Sequence, residues 1–204
     1  MPFPDGKDRR YIAAVTDEIE RLIRASHGHA AVLFTSYDAM GRVHAALNER
    51  NLPFPLMRLE RASSAAIENF KQSKGGVLFA SGSLWEGIDI PGDMLSMLII
   101  VKLPFQVPDP IGEYERTLYG SMHEYKNRVI VPEMLIKLKQ GFGRLIRMET
   151  DTGVVAILDS RVNSNGAYRG NVLDALPECY VTDDITQVKR FIKAKKQIEY
   201  FDIA

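Results

Sequence analysis

The sequence predicts an α/β fold in which a mostly parallel sheet carries helices on both faces. Short, almost wholly apolar runs alternate along the chain with stretches of helical periodicity. Strands buried on both faces form such continuous apolar runs, because the connecting helices of a parallel sheet cover each face. With 204 residues, 46% of them hydrophobic, the chain has enough apolar surface for one compact core. We therefore predict a single domain over residues 1–204.

The individual elements follow in order from these two patterns. Apolar runs bounded by small polar, glycine or proline residues predict strands at 30–36, at 55–60, at 76–81, within 94–105 and at 153–161. Apolar residues spaced three and four apart predict a helical N-terminal segment at about 8–26, helices at 37–51 and 63–73, mostly helical structure over 109–147 with an interruption near 126–132, and a C-terminal helix at about 184–198.

Overall charge and cysteine content exclude several classes of protein. Lysine plus arginine and aspartate plus glutamate both number 26, so the net charge is zero and only a local basic groove could attract nucleic acid. Cys179 is the only cysteine, which excludes an intrachain disulfide and a cysteine-rich metal site. No apolar run approaches the roughly 18–20 residues that span a membrane. We predict a cytoplasmic protein without membrane association and without a metal site in this chain.

Small polar residues follow three of the predicted strands. They are Thr35–Ser36 after the first strand, Ser81–Ser83 after the third and Asp159–Arg161 after the fifth. Because the carboxyl ends of parallel strands meet at one edge of a sheet, ligands of such folds bind there. The sequence therefore predicts a functional edge formed by these three clusters.

The segment ASGSLWEGIDIPG at 80–92 has the composition of a phosphate-binding loop. Two serines flank a glycine at 81–83, which lets the backbone approach a phosphate closely. A carboxylate shortly after a strand, here Glu86 or Asp89, can bind a ribose hydroxyl. The alternative is a structural loop in which Trp85 fills space in the core.

The segment QGFGRLIR at 140–147 places two arginines behind two glycines. The three-residue spacing predicts that Arg144 and Arg147 lie on one face of a helix. Guanidinium groups bind phosphate oxygens in pairs, and an arginine at a nucleotide's terminal phosphate can accelerate phosphoryl transfer by about 10³–10⁵. The alternative is a solvated arginine pair beside glycines that only permit close packing.

Together these segments resemble a known family of motor proteins. GSLWEGIDIPG at 82–92 and QGFGRLIR at 140–147 resemble motifs V and VI of superfamily 2 helicases, in particular of the DinG/XPD branch of iron–sulfur DNA helicases. Three further segments resemble that family in its order: VLFTSY at 32–37 (motif IV), KLPFQVPDP at 102–110 (after motif V) and GVVAILDSR at 153–161 (after motif VI).

The resemblance implies a RecA-like, P-loop NTPase-like fold and the second of the two motor domains of such a helicase. The sequence lacks a GxxxxGK[ST] phosphate loop, a DEAH-type acidic box and four cluster cysteines, which in the family belong to the first motor domain and its insertions. We therefore expect ATP and Mg²⁺ to be bound mainly by that absent domain. Any iron–sulfur cluster would belong to the full-length protein and not to this chain, and the chain alone is expected not to hydrolyse ATP.

The resemblance also implies roles for single residues near the nucleotide. Arg144 and Arg147 match the motif VI arginines that face the γ-phosphate from across the cleft between the motor domains. Gln140 matches the glutamine that couples nucleotide state to domain closure, and Gly143 gives clearance for that closure. Further nucleotide contacts are expected from motif V, at Glu86, Gly87 and Asp89.

On the DNA side, the resemblance implies contacts to the phosphates of a single strand. These are expected from motif IV and motif V, at Thr35, Ser36, Ser81, Ser83 and Trp85. The segment MRLERASS at 57–64 departs from the glutamine–glycine pair of many relatives, and Arg58 is a further DNA-binding candidate there. For Arg161 the sequence leaves phosphate contact and a solvated position equally open.

These expectations combine into one functional prediction with two alternatives. The chain is predicted to be the C-terminal motor domain of a DinG-like ATP-dependent DNA helicase that moves 5′→3′ on single-stranded DNA in repair or replication. Its partners would be single-stranded DNA and the first RecA-like domain of the same protein, which would act as a monomer in the bacterial cytoplasm. The alternatives are a non-enzymatic helicase-like module that binds nucleic acid or a protein, and an RNA helicase domain.

Overall fold

The structure, a computed structural model, describes residues 10–59, 65–82, 90, 92–107, 109–148 and 151–202. The helices are α1 Tyr11–Ala25, α2 Tyr37–Asn48, α3 Ala65–Gln72, α4 Pro110–Arg116, α5 Met122–Tyr125, α6 Val131–Phe142, α7 Arg169–Ala175 and α8 Ile185–Lys195. The strands are β1 Ala30–Phe34, β2 Leu56–Arg58, β3 Val77–Ser81, β4 Met97–Ile100 and β5 Val154–Ile157.

The five strands form one parallel sheet in the order β2-β3-β1-β4-β5. Alternate residues of the three central strands enter separate cores on the two faces. One core contains Val32, Phe79 and Ile99 with residues of α1 and α2, and the other contains Leu33 and Leu78 with residues of α3, α6 and α7. The predicted fold class is therefore confirmed, and the continuous apolar runs are explained by burial on both faces.

Local sequence accounts for where several helices begin. The Ser36 hydroxyl accepts a hydrogen bond from the Ala39 amide at 3.3 Å and caps α2. Asp109 caps α4 by accepting from the Gly112 amide at 2.7 Å, and Pro110 occupies the first turn. Asp184 caps α8 through the Thr186 amide at 2.8 Å.

The segment 109–147, predicted as mostly helical, is divided more finely than its periodicity indicates. The predicted interruption near 126–132 is confirmed as a π-helical turn, Lys126–Ile130, directly before α6. The sequence did not predict α7, because seven residues are too few to show a helical period. The C-terminal helix ends at Lys195 rather than near 198, and a 3₁₀ turn, Ile198–Phe201, follows it.

The parallel sheet has two edges with different neighbours, here called the carboxyl edge and the amino edge. Residues that follow strands, such as Ser36 and Asp159, lie on the carboxyl edge. Residues that precede strands, such as His29, Ser96 and Thr152, lie on the amino edge. Because each connecting helix runs back from one edge to the other, the C-terminal end of α6 lies on the amino edge.

Candidate functional site

On the carboxyl edge, the structure brings together the residues that follow β1 and β3. Phe34 and Ser81, the last residues of these strands, are register partners. Thr35 and Ser36 are exposed, directly before α2. Gly82 has a φ of +67°, and a β-carbon there would lie 3.4 Å from the hydroxyl of Tyr37. The described residues that follow β1 and β3 therefore lie side by side on the carboxyl edge.

Ser81 is completely buried at the end of β3. Its hydroxyl has no hydrogen-bond partner within the part of the chain that the structure describes. A buried hydroxyl without a hydrogen-bond partner lowers the stability of the fold by about 1–3 kcal/mol. The Ser81 hydroxyl therefore has unused hydrogen-bonding capacity at the carboxyl edge.

Arg58 is the last residue of β2 and is exposed. Its guanidinium lies beside α2, where a β-carbon built at Gly41 would be 3.8 Å from a terminal nitrogen. Arg58 thus adds a positive charge to the carboxyl edge, near the helix that Ser36 caps.

The third polar cluster of the carboxyl edge is an ion pair between Asp159 and Arg161. The Asp159 carboxylate accepts hydrogen bonds from Arg161 Nη2 at 2.6 Å, from Arg161 Nε at 2.9 Å and from the Leu103 amide at 2.9 Å. The guanidinium also lies 4.6 Å from the centre of the Phe105 ring. The Arg161 side chain is 42% exposed, so it is neither fully solvated nor withdrawn from the surface.

Burial raises the pKa of Asp159, but hydrogen bonds from the Arg161 side chain and the Leu103 amide outweigh it and hold the pKa below its ordinary value. A lowered pKa stabilises the fold above the ordinary carboxyl pKa, and this contribution disappears as the pH falls through the folded-state pKa. The stabilisation by Asp159 is therefore present at neutral pH and is lost progressively as the pH falls below the ordinary carboxyl pKa and through the lower folded-state pKa.

We expect Asp159→Asn to lower the free energy of unfolding by about 1–3 kcal/mol at pH 7, because Arg161 and the Leu103 amide lose a charged acceptor. Urea unfolding at pH 7 and at pH 3 measures the difference, which should shrink at pH 3. Asp38→Asn is the matched control, since the Asp38 side chain is 78% exposed and its ion pair with Arg42 is long, at 3.8 Å. An equal difference at both pH values would contradict the assignment.

The arginine segment, residues 143–148, lies on the opposite, amino edge. Helix α6 ends at Phe142, and hydrogen bonds from the Arg144 amide to the Gly141 carbonyl (3.1 Å) and from the Leu145 amide to the Phe142 carbonyl (2.9 Å) tighten the chain into a turn. The prediction that Arg144 and Arg147 share one face of a helix is therefore wrong.

Leu145 anchors this turn to β5. It is 4% exposed, and a β-carbon at Gly153 would lie only 2.7 Å from its side chain. Only glycine at 153 lets the leucine pack so closely against the start of the strand. Burial of Leu145 thus explains why the chain leaves the helix: the side chain reaches the core from a turn.

The predicted nucleotide-facing residues occupy different positions around this turn. Gln140 is exposed in the last helical turn, Arg144 is half-buried, and Arg147 is exposed. Gly143 caps the C-terminus with a φ of −62°, a conformation that any residue can adopt. The glycine at 143 is therefore not required by the backbone.

Asp151 was missed by the sequence analysis and fixes the backbone of the arginine segment. Its carboxylate accepts hydrogen bonds from the amides of Arg147 (2.8 Å) and Met148 (3.0 Å). These two hydrogen bonds hold the pKa of Asp151 below its ordinary value, and the bond from the Arg147 amide has the larger effect. The sequence signal was an aspartate three and four residues after those amides, since aspartates often bind nearby backbone amides.

The segment 80–92 links the two edges. It leaves β3 at the carboxyl edge and reaches a 3₁₀ turn, Gly92–Met94, before β4 on the amino edge. The predicted residues Ser83, Trp85, Glu86, Gly87 and Asp89 lie outside the described residues.

The described residues contain no cluster of three or more histidine, cysteine or acidic side chains able to hold a metal ion. The sole cysteine, Cys179, cannot by itself ligate an iron–sulfur cluster. Among the same residues, no helix combines the length and apolar character needed to cross a membrane.

Comparison with known proteins gives consistent matches. Residues 19–179 match the family model described as the helicase C-terminal domain. The chain is 36% identical over 200 residues to the ATP-dependent DNA helicase YoaA of Haemophilus influenzae, covering 95% of this chain and 30% of that protein. It is 33% identical over 192 residues to the ATP-dependent helicase DinG of Mycobacterium tuberculosis, covering 93% of this chain and 29% of that protein.

The chain therefore spans less than a third of the length of these two curated relatives. Among solved structures, an XPD helicase superposes with a TM-score of 0.67 at 23% identity, over 83% of this chain and 31% of the other. The structural match shows a shared fold. The family match includes both the segment 80–92 and the arginine segment.

Proposed function

Because the chain belongs to the helicase C-terminal domain family, we propose that it is the C-terminal motor domain of a DinG-like ATP-dependent DNA helicase whose two sheet edges have different tasks. The amino edge supplies arginines to a nucleotide, and the carboxyl edge holds single-stranded DNA. The separation of the arginine segment from the polar cluster at Ser36 and Ser81 is the observation that carries the proposal.

On the amino edge, Arg147 acts on the γ-phosphate of ATP, with Arg144 and Gln140 beside it. Arg147 is exposed, and Asp151 holds its backbone amide, so its position is set before a nucleotide arrives. A guanidinium at that position offsets the negative charge that develops on the transferred phosphoryl group. The phosphates and Mg²⁺ are held mainly by a first motor domain, which closes over this edge with clearance at Gly143.

On the carboxyl edge, the exposed residues Thr35, Ser36 and Arg58 bind backbone phosphates of a single strand, with the buried Ser81 behind them at the end of β3. Ser36 lies at the N-terminus of α2, a 12-residue helix whose first amides and partial positive charge favour an anion. The Ser81 hydroxyl has unused hydrogen-bonding capacity there. Hydroxyls, amides and one guanidinium hold phosphates without reading bases, so binding is largely independent of sequence.

The segment 80–92 communicates between the edges, because its ends lie on opposite sides of the sheet. Within it, Ser83 and Trp85 contact the strand, and Glu86, Gly87 and Asp89 contact the nucleotide. The complete enzyme moves 5′→3′ on single-stranded DNA during repair or replication, as a monomer in the bacterial cytoplasm.

Amide NMR of the 204-residue chain tests the assignment of edges. Titration with a deoxythymidine oligomer should shift the amides of Ser36, Ala39 and Gly82 and leave those of Arg147 and Met148 unchanged. With zero net charge, the domain should bind the oligomer weakly and more tightly at low salt.

Two variants sharpen the test. Arg58→Gln should weaken oligomer binding, because it removes one phosphate contact from the carboxyl edge. Arg21→Gln is the control, since Arg21 is a 57%-exposed arginine of α1 with its own ion pair. Oligomer-induced shifts confined to the amino edge, or equal effects of the two variants, would refute the DNA assignment. A stronger response to an RNA oligomer would favour the RNA helicase alternative.

A further inference from the structure

Lys196 is a buried ammonium group that directly follows α8. Its side chain is 1% exposed. The Nζ atom donates to Asp93 Oδ1 at 2.6 Å, to the Thr152 carbonyl at 2.6 Å and to the Thr152 hydroxyl at 3.1 Å. Three acceptors match the three N–H donors of an ammonium group, so its hydrogen-bonding capacity is fully used.

These three residues belong to segments that are distant in sequence and meet on the amino edge. Asp93 lies in the 3₁₀ turn that ends the connection between the two edges. Thr152 follows Asp151, whose carboxylate holds the amides of Arg147 and Met148. Lys196 follows α8. One ammonium group therefore links Asp93, just after segment 80–92, to Thr152, a few residues after the arginine segment.

We propose that Lys196 is a positioning residue for Arg147. Its hydrogen bonds fix Thr152, and Thr152 fixes the neighbouring Asp151, whose carboxylate sets the backbone at Arg147. Through Asp93 the same ammonium holds the arginine segment in register with segment 80–92. The part of this inference that concerns nucleotide chemistry rests on the proposed function.

The surroundings of Lys196 distinguish positioning from simple stabilisation. Asp93 is 61% exposed, so water can solvate its carboxylate when the ammonium is removed. Removing one partner of an ion pair is most costly when the other charge stays buried, and the exposure of Asp93 avoids that cost here. Lys196→Met keeps most of the side-chain volume, and we expect it to leave the global fold intact while it loosens Thr152.

Hydrogen exchange on the 204-residue chain tests the positioning directly. We expect Lys196→Met to accelerate exchange at the Arg147 and Met148 amides by about 10-fold or more, because opening of this loop becomes easier. Amides of β1 should keep their exchange rates, which checks the fold. Lys195→Met is the matched control, since Lys195 is the adjacent lysine, exposed at the end of α8. Unchanged exchange at Arg147 and Met148 would overturn the proposal.

Two further measurements test the positioning: hydrogen exchange of the Asp93→Asn variant, and ATP hydrolysis by the full-length gene product carrying Lys196→Met. Asp93→Asn should accelerate exchange at the same two amides, in the same direction as Lys196→Met. In steady-state assays, Lys196→Met should lower kcat by about 10- to 100-fold with little change in the KM for ATP, because a small misplacement of a catalytic group acts on the chemical step.

A double variant separates this inference from the proposed function. If Lys196 acts through Arg147, adding Lys196→Met to an Arg147→Ala background should produce no further loss of kcat. An undiminished ATPase in Arg147→Ala alone would overturn the proposed function and leave the exchange test standing. A strong effect of Arg147→Ala with a normal kcat in Lys196→Met would overturn the positioning proposal alone.

Discussion

Replacing Arg147 by alanine in the full-length gene product is expected to lower the kcat for ATP hydrolysis by about 10³-fold or more. The exposed guanidinium of Arg147 is carried by a turn whose backbone Asp151 holds, so its removal deletes charge without disturbing the core. Arg147→Lys should recover only part of the rate, because an ammonium cannot form two parallel hydrogen bonds to a phosphate. Binding of single-stranded DNA should be retained, since it is assigned to the opposite edge.

The measurement is steady-state ATP hydrolysis at saturating single-stranded DNA, with thermal unfolding to check the fold. Arg21→Ala serves as the control, because Arg21 is an exposed arginine of α1 that pairs with Glu18. The 204-residue chain alone should show no turnover. Turnover by this chain alone that survives Arg147→Ala would refute both the arginine assignment and the division of the ATP site between two domains.

Gly28→Ala should be among the most destabilising substitutions in the chain. Gly28 has a φ of +76°, and a β-carbon there would lie 1.8 Å from the carbonyl oxygen of Gly75. A β-carbon at Gly75 would in turn lie 2.6 Å from the His27 carbonyl oxygen. The two loops that precede β1 and β3 therefore touch backbone to backbone on the amino edge. We expect a loss of about 3 kcal/mol or more, since neither backbone can withdraw.

Gly92→Ala is the control for this prediction. Gly92 also has a positive φ, +59°, but a β-carbon there would meet no atom within 4 Å. Alanine at 92 should therefore cost only about 1 kcal/mol of left-handed strain. Urea unfolding of the two variants gives both values, and equal losses would show that the contact with Gly75 contributes nothing.

The sequence predicted the sheet well because burial on both faces leaves a direct signal. Every residue of β1 and β3 is buried, and these strands stand out as unbroken apolar runs. The polar residues after β1, β3 and β5 were also correctly expected on one edge. The family resemblance inferred from segments 80–92 and 140–147 was confirmed by the match to the helicase C-terminal domain.

The geometry of the arginine segment could not be predicted from the same signal. Leu138 and Leu145 are seven residues apart and both buried, which is the spacing of two turns of one helix. In the structure Leu145 reaches the core from a turn, because Gly153 makes room for it. The contact between Leu145 and Gly153 determines that the helix ends before Leu145. The periodicity of residues 131–147 carries no information about that contact, because Gly153 lies in a different segment.

The two residues that brace the arginine segment were missed for a related reason. Asp151 and Lys196 are ordinary polar residues in sequence, and a lysine after an amphipathic helix predicts a solvated charge. The burial of Lys196 depends on Asp93 and Thr152, which are 103 and 44 residues away in sequence. Such a site is visible only once the fold has brought the segments together.

The proposed sites lie on opposite edges, so the interaction free energy between substitutions at the two sites is expected to be zero unless the protein couples them. From the first to the last residue of β3 the sheet extends by about 13 Å, four rises of about 3.3 Å. Substitutions at such a distance without shared partners normally have additive free energies. For Ser36 and Arg147, any departure from additivity in DNA affinity therefore measures the free energy that couples the two proposed sites.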